Sequence, residues 1–426
     1  MKIFTRVLRR LPRLAVALAA SWLTTGPLLF AGGARIPDQS TRAMGMGDAF
    51  VAGADDASAV YYNPAGLTNL TRAELIGNFY LAYGSVAYSG PTEREASDGR
   101  YYFIPSAYVG VPLGTHGTAI GLGVYSPFGL GTRWSDGQAA RWAAARGPGA
   151  NATKLSELQM IDVNPALAQK ITDTLSLGIG FNYYTSRAIS RSETNYGMGI
   201  GETDLDVDGH GWGINAGVQW QCTDQVTLGL VYRSESKIRY DGSIEYDGLP
   251  PGIFGVGARS YDADLELVFP ASIGAGVCRK PTTRLRLELA AEWMDWSRWD
   301  ERTATVGGTP FGPGKQEMTT KIDWKDSWIV MLGSEYQLTE KWTLRGAVMY
   351  NQTPVRAAAA DVDLPTGDTY AVALGTGYKF SEAVVADFAA TAAYGTQREL
   401  DHSSAPPGSK FEALSVYLSL GITYRF

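Results

Sequence analysis

Histidine, cysteine and long apolar runs are scarce in this chain, and each shortage excludes a class of protein. Only 3 histidines and 2 cysteines occur among 426 residues. No Cys/His cluster has zinc spacing, and no glycine run opens a strand-to-helix phosphate loop. Beyond the N-terminus, no stretch offers the roughly 18 consecutive apolar residues that a membrane helix needs. The sequence therefore predicts neither an enzyme nor a helical membrane protein, and it indicates no catalytic residue, metal or cofactor.

The first 31 residues have the layout of a secretory signal peptide. A basic leader with no acidic residue precedes the apolar run 14–23, and small residues follow around Ala31. A retained membrane anchor is the alternative, but the apolar core is short and Pro27 follows it. Removal of this leader would make an already acidic chain, of net charge −6, more acidic. Such a chain is a poor candidate for binding nucleic acid.

Two cysteines, Cys222 and Cys278, would meet the oxidising environment of the cell envelope, where a disulfide is chemically possible. The strand pattern places them two strands apart, with their side chains on opposite faces of the wall. Because disulfide geometry is demanding, we expect them to remain unpaired.

A period of two residues runs through most of the chain and is clearest at its end. Leu414, Val416, Leu418 and Leu420 alternate with small or polar residues, and the pattern continues to the terminal Phe426. Such alternation gives a strand one apolar face and one polar face. A terminal phenylalanine also resembles the assembly signal of outer-membrane barrels.

Fourteen candidate strands follow from this pattern, and short and long connections alternate between them. Short turns below and long loops above are the usual asymmetry of a bacterial outer-membrane barrel. A soluble β-sandwich has no reason to alternate its loops so regularly. The sequence predicts an all-β, 14-stranded antiparallel transmembrane barrel over residues 71–426, in the Gram-negative outer membrane. Its strands would start near Ala73, Arg100, Gly117, Leu155, Thr174, Asp204, Gln225, Ser260, Thr282, Glu317, Lys341, Tyr370, Ala383 and Phe411.

Two motifs imitate functional sites but lack an essential residue. His210 is predicted to lie on the lipid-facing side of its strand near the outer rim, where outer-membrane phospholipases place their catalytic pair. The position that would need serine is occupied by Trp212. The acidic run 204–209 resembles the start of a calcium loop, yet its twelfth position is Asn215 instead of glutamate. We therefore interpret the acidic run as a solvated strand end. The other histidines, His116 and His402, fall in a predicted turn and a predicted loop.

Residues 32–70 do not alternate. Small residues, short helical turns and an Asn-Pro pair predict a compact N-terminal hatch, or plug, inside the barrel. A periplasmic tail is the alternative. A disordered tail rarely carries as many apolar residues as lie between Phe50 and Leu67.

The run from Arg42 to Leu67, with its Asp-Asp-Ala-Ser and Asn-Pro-Ala-Gly-Leu blocks, resembles the hatch of the FadL family (OMPP1/FadL/TodX-like channels). The run 125–131, Tyr-Ser-Pro-Phe-Gly-Leu-Gly, and the strand count resemble the same family. These proteins are outer-membrane channels for long-chain fatty acids and other hydrophobic compounds. The resemblance implies passive, ligand-gated uptake by a monomer surrounded by lipopolysaccharide. The implied gating residues are Asn63, Pro64, Ala65 and Gly66.

The third strand contains Ser126, Pro127, Phe128 and Gly129. Proline cannot donate to a central ladder, and glycine weakens pairing further. From the residues alone, the strand either kinks here or ends at Tyr125. The resemblance implies a kink that serves as a lateral exit into the bilayer.

The long loop after this strand, residues 129–154, contains Trp134 and Trp142 within a stretch that favours helix. We expect these tryptophans to be exposed outside the membrane. The resemblance implies that they help to form an outer ligand groove, and a plain loop facing lipopolysaccharide is the alternative.

Inside the barrel, a fatty carboxylate would need a cationic partner. Strand parity directs Arg284, Arg286 and Arg345 into the lumen. They can instead form structural ion pairs with Glu288, Glu292 and Glu335, which we favour.

The residues do not distinguish fatty acids from aromatic hydrocarbons as ligands. A general porin for small solutes and a structural or adhesive barrel remain alternative functions.

Overall fold

The computed structural model describes residues 34–426 except 92, 115, 250–258, 310–311, 358–359, 363–364, 366 and 401–404. The signal peptide predicted over residues 1–31, the first two residues of the predicted hatch, and His402 therefore lie outside the described residues. In the part of the chain that is described, no helix has both the length and the hydropathy to cross a membrane.

The described chain contains short helices and many strands. The helices are α1 (Thr41–Gly45), α2 (Ala59–Tyr62) and α3 (Gln138–Arg146), with 3-10 helices at Pro64–Asn69 and Trp296–Arg298. The strands are β1 (Glu74–Ser89), β2 (Arg94–Ala96), β3 (Arg100–Leu113), β4 (Thr118–Tyr125), β5 (Gly129–Arg133), β6 (Asn151–Lys170), β7 (Leu175–Asn195), β8 (Ile200–Thr223), β9 (Val226–Arg233), β10 (Ser236–Asp247), β11 (Arg259–Phe269), β12 (Ser272–Arg279), β13 (Leu285–Met294), β14 (Glu301–Thr309), β15 (Gly312–Lys321), β16 (Ser327–Gln337), β17 (Trp342–Asn351), β18 (Thr369–Lys379), β19 (Val384–Leu400) and β20 (Ser409–Arg425).

These segments form one closed wall. Antiparallel pairing of β1 with β20, from Glu74↔Arg425 to Ser89↔Lys410, joins the first strand to the last. Six of the wall strands consist of two segments each, namely β2/β3, β4/β5, β9/β10, β11/β12, β13/β14 and β15/β16. The predicted 14-stranded antiparallel barrel is confirmed. The largest error in a strand start is at β2/β3, which begins at Arg94 and not near Arg100. The next is at β15, which begins at Gly312 and not near Glu317, because glycine and proline gave no strand signal there.

The two faces of the wall follow the predicted parity. Leu414, Leu418 and Leu420 of β20 are exposed on the outside, whereas Ser415 and Ser419 are buried on the inside. Lipid takes the place of water around the outer face, so exposed leucines are stable there. The two cysteines are free, as expected.

Four neighbouring wall strands are interrupted near one another, at 234–235, 270–271, 295–300 and 322–326. Trp296, Trp299 and Trp324 pack together there, with ring centroids 4.6–5.1 Å apart. Phe269, at the end of β11, lies 4.8 Å from the ring of Phe128 in the third wall strand. The interrupted region therefore contacts the segment that was predicted to kink.

Candidate functional site

Residues 34–70, here called the N-terminal segment, lie against inward-facing side chains of the wall. Ala52 N and Gly53 N donate to the carboxylate of Glu288 on β13, at 2.7 and 3.0 Å. Thr41 N donates to Asn78 Oδ1 on β1 at 3.1 Å. Most side chains of this segment are buried. The segment thus touches strands far apart in the sequence.

The block Asn63–Gly66 begins the first 3-10 helix. Asn63 Oδ1 accepts from Ala65 N at 3.2 Å, and Pro64 occupies the first turn, where a missing N–H has no cost. Asn63 Nδ2 donates to Val51 O at 2.9 Å and to Val218 O of β8 at 3.0 Å. This one amide therefore holds two parts of the N-terminal segment against the wall.

Two glycines let this block approach the wall. Gly178 of β7 and Gly217 of β8 are paired across the ladder. A Cβ atom at Gly217 would lie 2.0 Å from Asn63 Oδ1, and one at Gly178 would lie 2.4 Å from Ala65 N. Both distances are shorter than van der Waals contact, so the contact requires glycine at these positions.

The third wall strand is broken at the predicted residues. β4 pairs with β6 as far as Tyr125↔Asp162, and β5 resumes at Gly129↔Gln159. Three residues, 126–128, therefore oppose two on β6, which bends the strand. The alternative in which the strand ends at Tyr125 is wrong, because β5 continues the wall beyond the break.

The bend leaves a gap in the ladder on the other side of the third wall strand. β3 pairs with β4 only from Ala107↔Val124 to Leu113↔Thr118. Within the described residues, β5 has a ladder only with β6, and Arg100–Ser106 of β3 have one only with β1. No ladder therefore joins the outer half of β3 to β5.

The backbone groups freed by the break are bound by the N-terminal segment. Ile36 N donates to Pro127 O at 2.9 Å, and Gly129 N donates to Ala34 O at 2.8 Å. The side-chain amide of Gln39 donates to Ser126 O at 2.8 Å and accepts from Ser126 N at 3.1 Å. Buried backbone groups need such partners. Movement of the N-terminal segment would therefore leave the broken strand unsatisfied.

Trp134 and Trp142 are not exposed, so that expectation is wrong. Their exposed fractions are 0% and 1%, and their rings lie 4.9 Å apart. Tyr88 and Phe411 complete the cluster. The predicted helix is present as α3, and its apolar side packs onto the barrel strands because that buries both indoles.

The three arginines predicted to face the lumen have different surroundings. Arg345 binds Glu335 and Asp387, each at 2.7 Å, and Arg286 binds Asp55 at 3.1 Å and Glu335 at 3.5 Å. Arg284 is exposed in the turn before β13. The favoured pairing with Glu335 is confirmed for Arg286 and Arg345.

The other two predicted partners bind elsewhere. Glu288 binds backbone N–H groups of the N-terminal segment, as described above, and Glu292 of β13 binds two arginines. Arg35 Nη2 lies 3.1 Å from Glu292 Oε1, and Arg233 Nη1 lies 3.2 Å from the same oxygen. Both guanidinium groups also lie over the ring of Tyr61, at 5.1 and 4.6 Å from its centroid.

Sequence reasoning missed Arg35 and Arg233. Arg233 lies two residues after Val231, on the side of β9 that faces the lumen. The strand alternation that directed Arg286 into the lumen therefore also predicts an inward-facing Arg233. Arg35 precedes the alternating region, and no periodicity marks it.

Two cavities of about 20 Å³ border Arg35 and Arg233, and each has room for about one water molecule.

A pair of carboxyl groups lies close by, within the N-terminal segment. Asp38 and Asp48 are both buried and interact electrostatically. Tyr80 donates to Asp38 at 3.2 Å, and Tyr62 donates to Asp48 at 2.7 Å. Burial raises the pKa of Asp38 to about 6, and burial together with the neighbouring Asp38 raises the pKa of Asp48 well above its ordinary value.

A larger cavity, of about 620 Å³, opens at the end of the barrel that carries the short turns. Arg42, Asp55, Arg284 and Glu335 are among the residues that line it. Its lining is mostly polar, unlike the aromatic surroundings of Arg35.

A model of the family described as "Outer membrane protein transport protein (OMPP1/FadL/TodX)" matches residues 22–426. The chain belongs to this family. Its members are outer-membrane transport proteins and not enzymes, and the resemblance noted in the sequence is confirmed. This chain is accordingly a β-barrel transport protein of the Gram-negative outer membrane.

Curated FadL-family relatives are similar over most of their length. The chain is 24% identical to the long-chain fatty acid transport protein of Escherichia coli O6:H1 (strain CFT073), covering 88% of this chain and 89% of that protein. It is 24% identical to outer membrane protein P1 of Haemophilus influenzae (strain Rd), covering 85% and 86%.

Solved structures of the family share the fold. A Pseudomonas aeruginosa FadL homologue superposes with a TM-score of 0.76 at 20% identity, over 92% of this chain and 100% of that one. The toluene transporter TbuX of Ralstonia pickettii gives a TM-score of 0.70 at 17% identity, over 91% and 98%.

Proposed function

We propose that this protein is a passive, ligand-gated channel that takes up long-chain fatty acids or similar hydrophobic molecules. Residues 32–70 act as the hatch, after removal of residues 1–31, and residues 71–426 form the channel wall. We further propose that it works as a monomer among lipopolysaccharide, which is the barrier that hydrophobic molecules must pass.

The observation that carries this proposal is the bonding of the N-terminal segment to the broken third wall strand. Gln39 binds both backbone groups of Ser126, and Ile36 binds Pro127. Ligand entering beside these contacts would have to displace them. Hatch and wall gap would then open together, and the ligand would leave sideways between β3 and β5.

The transfer free energy of apolar surface favours a lateral route for a hydrophobic ligand. The transfer of apolar surface out of water is favourable by about 25 cal/mol of free energy per Å². A route from lumen to bilayer that avoids water therefore has a lower free-energy barrier for a hydrophobic molecule. Tyr101 and Phe103 of β3 are exposed beside the gap. They offer apolar surface along the proposed exit.

The outer ligand groove remains part of the proposal in a changed form. Trp134 and Trp142 are buried between α3 and the barrel strands, and they would support the groove without touching ligand in the closed state.

The curated E. coli relative is named for long-chain fatty acids, and the R. pickettii structure for toluene. Either class fits a gate of this kind.

The test is to straighten the third wall strand with Pro127→Val. We expect uptake of radiolabelled hexadecanoic acid and toluene into cells lacking the native protein to fall about tenfold, the effect of a barrier raised by about 1.4 kcal/mol. Pro165→Val is the control, because Pro165 is exposed on the outer face of the unbroken strand β6. Normal uptake by a correctly assembled Pro127→Val protein would exclude the lateral route. Large ion conductance of the unaltered protein in planar bilayers would favour a general porin.

A further inference from the structure

We propose that Arg35 and Asp162 form a binding site for an uncharged hydroxyl head, such as that of a long-chain alcohol or an alkylphenol. This inference rests on the proposed function, which brings amphiphiles into the lumen, and it adds the ligand class that the site selects.

The donor side of the site is Arg35, which is 2% exposed. Its Nη2 donates to both carboxylate oxygens of Glu292, at 3.1 and 3.3 Å. Its Nε and Nη1 are buried and have no hydrogen-bond acceptor among the described residues. A buried donor without a partner is costly, so an acceptor that reached Arg35 would be bound favourably.

The acceptor side is Asp162 of β6, which is 1% exposed. Its Oδ2 accepts from Asn182 Nδ2 at 2.6 Å, whereas its Oδ1 has no donor within the described part of the chain. Arg35 and Asp162 line the same cavity, together with Tyr125 and Phe128. The site therefore offers free donors and a free acceptor to one small group.

The size of the cavity and the chemistry of its lining identify the head. About 20 Å³ suffices for one water-sized group, which is the size of a hydroxyl. A hydroxyl can accept from Arg35 and donate to Asp162 at the same time. A carboxylate can only accept, and an alkane can do neither.

The charge balance points the same way. Arg35 and Arg233 carry two positive charges, and Glu292 and Asp162 can carry two negative charges. The carboxyl pair of Asp38 and Asp48 also faces Arg35, so the centre has no excess positive charge before any ligand arrives. A carboxylate would add an unbalanced charge to a buried site, which is unfavourable, whereas a hydroxyl adds none.

The surroundings suit an apolar tail. Phe128, Phe269 and Met294 line the same cavity. Arg35 also lies between Ala34 and Ile36, whose backbone groups bind the broken strand. A head bound to Arg35 would thus lie directly beside the proposed exit.

Binding to the full-length mature protein in lipid nanodiscs tests the ligand class. The probes are 1-decanol, decanoate, methyl decanoate and decane, which share one chain length, at pH 8. We expect decanol to bind about tenfold more tightly than decanoate, and methyl decanoate, which only accepts, to fall below decanol.

The variant Asp162→Asn should narrow the preference. It removes one negative charge beside the two arginines, so decanoate should gain affinity relative to decanol. The matched control is Asp241→Asn, because Asp241 is exposed on β10, and it should keep the unaltered preference. The order of the binding affinities of the four probes for the unaltered protein decides the proposal even where the variant fails to assemble.

Two failures can be told apart. If decanoate binds the unaltered protein as tightly as decanol while cellular uptake of both is normal, this inference is overturned and the proposed function stands. If cells take up none of the probes through the protein, the proposed function is overturned and the inference with it.

Discussion

Arg35 Nη2 lies 3.1 Å from Glu292 Oε1, across 257 residues of sequence. This ion pair ties the beginning of the N-terminal segment to β13, on the interrupted side of the wall. The same segment binds the broken third wall strand through Ile36 and Gln39. One short stretch of chain therefore connects both irregular parts of the barrel.

Glu292→Gln should loosen this connection. The change removes the carboxylate that binds both Arg35 and Arg233, and breaking a buried pair from one side costs about 3–5 kcal/mol. We expect the N-terminal segment to become sensitive to protease while the wall remains folded. Glu301→Gln, at an exposed position at the start of β14, is the control and should change nothing. Equal protection of the segment in both variants would show that the ion pair does not hold it.

The carboxyl pair of Asp38 and Asp48 should make stability depend on pH. The pKa of Asp38 is raised from 3.8 to about 6 by burial, and the pKa of Asp48 is raised as well. A raised pKa means that the folded state binds protons more tightly than the unfolded state. Its contribution to stability is therefore complete below about pH 4 and is lost as the pH rises through about 6 and beyond.

Asp48→Asn tests this dependence. Asp48 has φ = 59°, a left-handed conformation that asparagine tolerates, so the variant keeps the backbone and stays uncharged. We expect its denaturant midpoint to change less between pH 4 and pH 8 than that of the unaltered protein. Tyr62, Tyr80 and Arg35 also face the pair, but they keep their charge states in this range. Identical pH profiles for the two proteins would contradict the assignment.

Gly217→Ala should displace the Asn63 block. Its Cβ atom would lie 2.0 Å from Asn63 Oδ1, so the contact cannot survive unchanged, and such overpacking costs about 1–3 kcal/mol. We expect a lower thermal midpoint and higher ion leakage in planar bilayers. Gly77→Ala is the control, because a Cβ atom at Gly77 of β1 meets no atom within 4 Å. A Gly217→Ala protein as tight and as stable as the control would show that Asn63 does not seal the lumen.

Features that repeat locally could be predicted from the sequence. The alternation that ends at Phe426 indicated which face meets lipid, because a strand buried on one side must repeat every two residues. Alternating loop lengths gave the strand count, and Pro127 located the break, because proline cannot donate to a central ladder. The block Asn63–Gly66 carried the family resemblance.

Contacts between distant parts of the chain could be decided only by the tertiary structure. Composition suggested an exposed loop for Trp134 and Trp142, but the barrel strands offered an apolar surface that buries them. Neither periodicity nor spacing pairs Arg35 with Glu292, or Gln39 with Ser126. Local sequence determines which way each side chain of a strand points. Which buried groups meet depends on barrel closure, because closure brings residues more than 200 positions apart within hydrogen-bonding distance.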